Sequence, residues 1–189
     1  MPRVVVLGGV NGAGKTTSAD RLLNVMKIPI FTNADAIARG LKSLDPESQA
    51  FRSGRVMLKW MNDLVDEGKD FALETTLAAR SYIAWLRKLK ERGYKVYLFY
   101  TWLASAEVAV ARVQQRVRSG GHNIPEEDIL RRYGRSVKNF LEEYMPLADE
   151  WELYDNTIGE RRLIAMGDTS GQVFESENDW KRVLRSAKS

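Results

Sequence analysis

Apolar residues in this chain fall into short dense runs, separated by longer stretches in which they recur at helical spacing. The first run, Val4-Val5-Val6-Leu7, suits a buried strand over Arg3 to Leu7, and Gly14 to Met26 then reads as a helix. Ile28 to Phe31 is a short second strand, with Pro29 near its start, where a missing N–H is tolerable. A short helix is expected over Ala34 to Leu41, following Asn33. Pro46 suits the first turn of a long helix running to about Glu67, with Asp45 as its cap and Gly68 as its stop. Its apolar set is Ala50, Met57, Leu58, Met61, Leu64 and Val65.

The pattern continues in the same alternation. Phe71-Ala72-Leu73 forms a third strand closing on Glu74-Thr75-Thr76, and Arg80 to Arg92 is a helix stopped by Gly93. Lys95 to Trp102, rich in aromatic and branched residues, is a fourth strand whose aromatic side chains belong to the core. Ser105 caps a helix over Ala106 to Arg118, a loop runs from Ser119 to Pro125, and a further helix reaches about Tyr144 with Glu126, Glu127 and Asp128 in its first turn. Trp151 to Tyr154 and Arg162 to Met166 read as strands joined by a turn at Gly159. A short strand at Val173-Phe174 and a helix over Asn178 to Ala187 complete the chain.

Strands alternating with helices predict an α/β fold with a mostly parallel sheet covered on both faces. No internal repeat or interdomain linker is visible, so residues 1–189 are expected to form one domain, large enough for a sizeable core. Ligands of such sheets sit beyond the carboxyl ends of the strands. Three polar segments converge there: the glycine-rich turn after strand one, Asn33 and Asp35 after strand two, and Glu74, Thr75 and Thr76 after strand three.

Composition narrows the classes. Hydrophobic residues are 44% and charged residues 29%, which suits a globular protein, and no run approaches the ~18–20 apolar residues of a membrane span. The N-terminal run meets Gly8-Gly9 at once and has no small-residue cleavage site, so a signal peptide is not expected. Cysteine is absent, which excludes disulfides, thiolate metal sites and a thiol nucleophile. The expectation is a cytoplasmic protein with no membrane partner. Net charge is +4, from 29 basic and 25 acidic residues. The distribution is more telling than the sum: Arg112, Arg116, Arg118, Arg131, Arg132, Arg135 and Lys138 gather in one region, suited to a phosphorylated ligand or to a solvated helix face.

The chemistry is carried first by Gly9-Val10-Asn11-Gly12-Ala13-Gly14-Lys15-Thr16, which fits G-x-x-x-x-G-K-[ST] between a strand and a helix. Such a turn aims several backbone N–H groups at one point and suits a polyphosphate. Gly9, Asn11, Gly12, Ala13, Gly14, Lys15, Thr16 and Thr17 are therefore expected to bind ATP or GTP, with Lys15 on the β- and γ-phosphates and the Thr16 hydroxyl on Mg²⁺. Asp35 is the candidate base for an acceptor hydroxyl, or it only caps the short helix. Glu74 takes the second metal-binding role by default, or holds the acceptor, or braces its loop; Asn33, Thr75 and Thr76 are candidate acceptor contacts. Arg112 and Arg116 share a helix face, with Arg118 close by. At least one of them is expected at the phosphates, with Arg116 assigned to the transferred group. Gly120 and Gly121 would let the following loop close over ligand, and His122, the only histidine, is a candidate contact on that loop.

Together, Gly9 to Thr17, Asn33-Ala34-Asp35, Phe71 to Thr76, and Arg112 to Tyr133 with its Gly-Gly-His-Asn-Ile-Pro-Glu-Glu stretch make the chain resemble the zeta-toxin-like P-loop kinases from about residue 3 to 156. The resemblance implies a P-loop fold with a helical lid near 112–133 and an ATP- or GTP-dependent kinase acting on a small hydroxyl compound. That compound is a nucleotide sugar such as UDP-N-acetylglucosamine in the toxins, or another small alcohol in chloramphenicol-phosphotransferase-like relatives. It also implies an antitoxin as a candidate partner, and it matches Asp35 to the base and Lys15 to the phosphate-binding lysine. Two other classes are weighed beside it: a nucleic-acid or tRNA end kinase, ranked lower because aromatic residues are not interleaved with the arginines, and a nucleotide-operated binding module without an acceptor.

Overall fold

The computed structural model describes residues 1–33, Ile37 and 46–188, with the backbone alone given at 46–51 and 53. The helix expected over Ala34 to Leu41 (apart from Ile37), the cap at Asp45 and the candidate base Asp35 lie outside the described residues. A single seven-stranded sheet organises the rest, in the order β2-β3-β1-β4-β5-β6-β7. The strands are β1 (Arg3–Gly9), β2 (Phe31–Asn33), β3 (Phe71–Thr75), β4 (Lys95–Trp102), β5 (Glu150–Asp155), β6 (Arg162–Asp168) and β7 (Gln172–Phe174). The first five run parallel, and β6 and β7 are antiparallel. The central strand β1 is nearly all apolar because both of its faces are covered, as parallel strands require.

The two faces are covered unequally. Helix α1 (Lys15–Met26) packs Ala19 and Leu23 onto Val5, Leu7, Ala72 and Phe99. The opposite face takes α2 (Pro46–Asp66), α3 (Ser81–Glu91), α4 (Ala106–Arg118), α5 (Glu126–Asn139) and α6 (Glu177–Ser186), which enclose the larger core around Met57, Leu86, Tyr100, Val113, Val137 and Val183. In α2 the buried stripe is Met57, Met61, Leu64 and Val65; Leu58, expected on that face, is more than a third exposed because it falls one residue around from Met57. No helix among the described residues is long and apolar enough to cross a membrane.

Two boundaries differ from expectation for identifiable reasons. The second strand begins at Phe31, not Ile28. Lys27 closes α1 in a left-handed conformation, the Ile28 N–H donates to the Leu23 carbonyl at 2.9 Å, and the Ile28 side chain is buried under α1. Pairing with β3 starts only at Phe31 opposite Ala72 and sets Asn33 opposite Glu74. The helix expected to reach Tyr144 is regular only to Asn139, widens into a π turn over Phe140–Tyr144, and tightens at Met145–Leu147. Phe140 there stacks on Tyr100 with ring centroids 4.2 Å apart, and the Tyr144 hydroxyl donates to the Ala79 carbonyl at 2.7 Å. The widened turn thus satisfies both contacts within one continuous helical segment.

Candidate active site

The glycine-rich turn joins β1 to α1, so its backbone is held by the central strand on one side and by a helix N-terminus on the other. Lys15 is almost fully buried, and its Nζ donates to the carbonyls of Gly9 and Val10 at 3.0 and 3.1 Å, folding the side chain back along the loop. Helix α4 lies directly against the turn. A Cβ on Gly12 would come within 2.9 Å of the Ala109 carbonyl and 3.1 Å of Arg112 Cβ, so glycine is what admits α4 this close. Asn156, just beyond β5, donates from Nδ2 to the Ala13 carbonyl at 2.8 Å and ties the sheet's other half to the loop.

Sheet register sets the acidic group. Glu74 sits opposite Leu7 of β1 and Asn33 of β2. Its Oε2 accepts from Thr16 Oγ1 at 2.7 Å and from Asn33 Nδ2 at 3.0 Å. A hydroxyl and a carboxylate side by side are hard oxygen donors of the kind Mg²⁺ uses, and no ready-made group of three or more acidic, His or Cys ligands exists among the described residues. Mg²⁺ in nucleotide sites takes one or two protein oxygens and completes its shell from phosphates and water, so this donor set fits it.

Two cavities meet at the turn. The larger, about 460 Å³, is lined among the described residues by Gly12, Gly14, Lys15, Thr16, Thr17, Glu74 and the α4 residues Arg112, Gln115, Arg116 with Ser119. The smaller, about 200 Å³, is bounded by Asn11, Asn33, Thr75, Thr76, Tyr82 and Ile124. Gly12, Lys15, Glu74 and Arg116 belong to both and form the wall between them. Arg112 is held toward the larger cavity by donating Nη2 to the Thr157 carbonyl at 3.0 Å.

Other expected residues sit differently. Arg118 and His122 are exposed and line neither cavity. His122 enters through its backbone, whose carbonyl accepts from Arg116 Nη2 at 2.7 Å. The loop that Gly120 and Gly121 are expected to let close over ligand lies docked on the end of α4. Gly120 takes a left-handed φ of 82° as the helix stop, and the Gly121 N–H donates to the Arg116 carbonyl at 2.9 Å. A Cβ on Gly121 would stand 2.5 Å from Arg116 Cγ, so the second glycine permits close approach.

The turn after β3 is braced by groups that sequence reasoning missed. Leu77 is fully buried with φ at 58°, a conformation disfavoured for leucine. Thr75 and Thr76 accept backbone N–H groups from Leu77 and Ala78 at 3.2 and 3.4 Å. From α5 and beyond, Ser136 Oγ donates to the Thr76 carbonyl, Asn139 Nδ2 to the Leu77 carbonyl at 2.7 Å, and the Tyr144 hydroxyl to the Ala79 carbonyl. The Tyr100 hydroxyl, whose pKa burial pushes far up, completes the set 2.7 Å from Ser136 Oγ. Burial also raises the pKa of the Tyr82 phenol at the smaller cavity. Gln115 and Ser119 could have been found by continuing the helical spacing of Arg112. Ser136, Asn139 and Asn156 act across long sequence separations and leave no local signal.

The strand–turn–helix arrangement has counterparts elsewhere. A structure of the AvrRxo1-ORF1:-ORF2 complex with ATP contains a chain that superposes with a TM-score of 0.78 at 17% identity, over 97% of this chain and 63% of that one. This chain thus spans under two thirds of that relative's length. A structure from the PezAT chromosomal toxin–antitoxin system of Streptococcus pneumoniae matches with a TM-score of 0.64 at 16% identity, over 100% of this chain and 85% of that one. At these identities the likeness is one of fold. An uncharacterized protein of Haemophilus influenzae is 32% identical over 125 residues, covering 66% of this chain and 88% of that protein. Residues 4–136, from the first strand through most of α5, match the model of the AAA domain, and on that match the chain belongs to the AAA domain family with a P-loop kinase-like fold.

Proposed function

We propose that the protein is a phosphotransferase that moves the γ-phosphate of ATP or GTP to a hydroxyl of a small molecule. The observation that carries this reading is the pair of cavities divided by Gly12, Lys15, Glu74 and Arg116. A nucleotide-operated binding module needs only the first of them. In the larger cavity the turn's amides and Lys15 take the triphosphate tail, with Arg112, Gln115 and Ser119 along its side. The ATP bound in the AvrRxo1 complex supports ATP as the donor. Thr16 and Glu74 would hold Mg²⁺, which would supply positive charge against the triphosphate tail.

The acceptor enters the smaller cavity, where Asn33, Thr75 and Thr76 orient it. Its hydroxyl oxygen bonds to the γ-phosphorus, the bond from the β,γ-bridging oxygen to that phosphorus breaks, and the nucleoside diphosphate leaves. The hydroxyl proton passes to Asp35, which the zeta-toxin resemblance matches to the base. Arg116, on the shared wall, exchanges its bond to the His122 carbonyl for the oxygens of the moving group. A nucleotide sugar such as UDP-N-acetylglucosamine is the acceptor that the zeta-toxin resemblance favours, and the PezAT likeness supports a neutralising partner protein.

Calorimetry with Mg²⁺ and ATP or GTP, followed by incubation of [γ-³²P]ATP with a metabolite extract and mass spectrometry, tests the reading. Heat of binding and a phosphate-mass gain on a small molecule are expected. No heat from either nucleotide would overturn it, and binding without transfer would leave the binding module.

A further inference from the structure

A groove of about 500 Å³ shares no lining residue with the two cavities of the active site. Its walls are the start of α4, Leu130, Tyr133 and Gly134 of α5, and Arg182 and Arg185 of α6. The walls are tied to the end of β4. The Trp102 indole donates to Ser186 Oγ at 3.1 Å, and the Tyr133 hydroxyl donates to the Leu103 carbonyl at 2.6 Å. An occupant therefore meets a preformed surface. Both lips are basic. By helical spacing Arg131, Arg135 and Lys138 share a face of α5 with Gly134, and Lys181, Leu184 and Arg185 share a face of α6, with Lys188 just past its end. Arg131, Lys181 and Arg182 pair with Asp128, Glu177 and Asp179 of their own helices. Arg135, Lys138, Arg185 and Lys188 are exposed, and none has an ion-pair partner among the described residues. Apolar surface lies among these cations: Leu130 is 45% exposed and Leu184 39%. A nucleic-acid backbone would match the charges, but it would leave the leucines in water and meet the Glu107 carboxylate that lines the groove. An acidic amphipathic helix matches the cations and the leucines together, in the manner of a helix laid in a groove.

We propose that this groove docks an acidic amphipathic helix of a partner protein, with its apolar side chains against Leu130 and its carboxylates against Arg135 and Arg185. The surface is separate from the nucleotide and acceptor cavities, so the inference stands whether or not the chain transfers phosphate.

Fluorescence anisotropy of the full chain tests this with a capped helical peptide of about 20 residues, made of Glu, Ala and Leu with the leucines along one face. Binding is expected at about 0.15 M salt. Two comparison probes, a peptide of the same composition with its leucines scattered around the helix and a single-stranded RNA of equal charge, should each bind at least about tenfold more weakly. Joint Arg135→Glu and Arg185→Glu substitution, and separately Leu130→Ser, should each weaken the peptide at least about tenfold. Arg112→Ala, in the nucleotide cavity, should change it by less than about twofold. Should the groove variants fail to fold, a photo-crosslinker on the peptide, used with the parent protein, must label α5 or α6. No binding up to about 1 mM peptide overturns the proposal. So does tighter binding of the RNA, equal affinity for the scattered peptide, loss of binding in Arg112→Ala, or labelling confined to other elements.

Discussion

The two sides of the site are built by different means. On the nucleotide side the phosphate-binding groups come from consecutive residues: β1, the turn from Gly9 to Thr16, and the first turn of α1 supply amides, a cation and a hydroxyl within one short segment, and Glu74 with α4 closes the cavity around them. The acceptor side gathers distant segments: Asn11 from the glycine-rich turn, Asn33 from β2, Thr75 and Thr76 at the end of β3, and Tyr82 from α3, and the turn after Thr76 is braced by Ser136, Asn139 and Tyr144. A site made from one segment can persist while the rest of the chain varies. A site made from several elements changes its specificity whenever their packing changes.

The largest expected effect is on the nucleotide side. Lys15→Ala removes the cation from the wall shared by the two cavities and is expected to cut transfer by at least about 10²-fold and to weaken ATP binding, read by steady-state kinetics and calorimetry. Asp35→Ala separates the sides: transfer is lost to a similar degree while ATP affinity is retained, and turnover equal to the parent's would remove Asp35 from the mechanism. Glu74→Gln probes the boundary, since its carboxylate meets Thr16 and Asn33 together. More Mg²⁺ is then needed for half-maximal transfer, and an unchanged Mg²⁺ titration would assign Glu74 to bracing alone.

Ser136→Ala acts only on the acceptor side. It leaves the Thr76 carbonyl and the Tyr100 hydroxyl short of a partner and is expected to cost about 1–3 kcal/mol of stability by denaturant unfolding. The acceptor KM rises with it and the ATP KM does not; equal rises would mean that the brace serves the whole site. The mildest effect is in alkali. Burial pushes the Tyr133 phenol, which donates to the Leu103 carbonyl, from 10.0 up to about 12. Its contribution to stability is complete below pH 10 and is lost as pH rises from 10 through 12, because the unfolded chain ionises first. Thermal melts between pH 8 and 12 should show that decline, and Tyr133→Phe should flatten part of it.

The same contrast explains what was legible. The glycine-rich turn, its flanking strand and helix, the cap at Ser105 and the stops at Gly68 and Gly93 were readable because each depends on residues a few positions apart. The meeting of Asn33 with Glu74 was foreseen only as a convergence on one rim; the contact itself follows from the pairing of β2 with β3. Arg118 and His122 were drawn in by their nearness in sequence to Arg116, but α4 turns Arg118 outward and the docked loop offers the backbone carbonyl of His122 in place of its imidazole.

By itself, then, the sequence determined the alternation of strands and helices, the parallel character of the sheet's core and the phosphate-binding turn, because hydrophobic periodicity and glycine chemistry are local properties. Only the tertiary structure decided which side chains enclose the second cavity and that Leu77, beside Thr75 and Thr76, is held in a disfavoured conformation. Those outcomes depend on strand register and on hydrogen bonds between groups tens of residues apart, which no window of the chain contains.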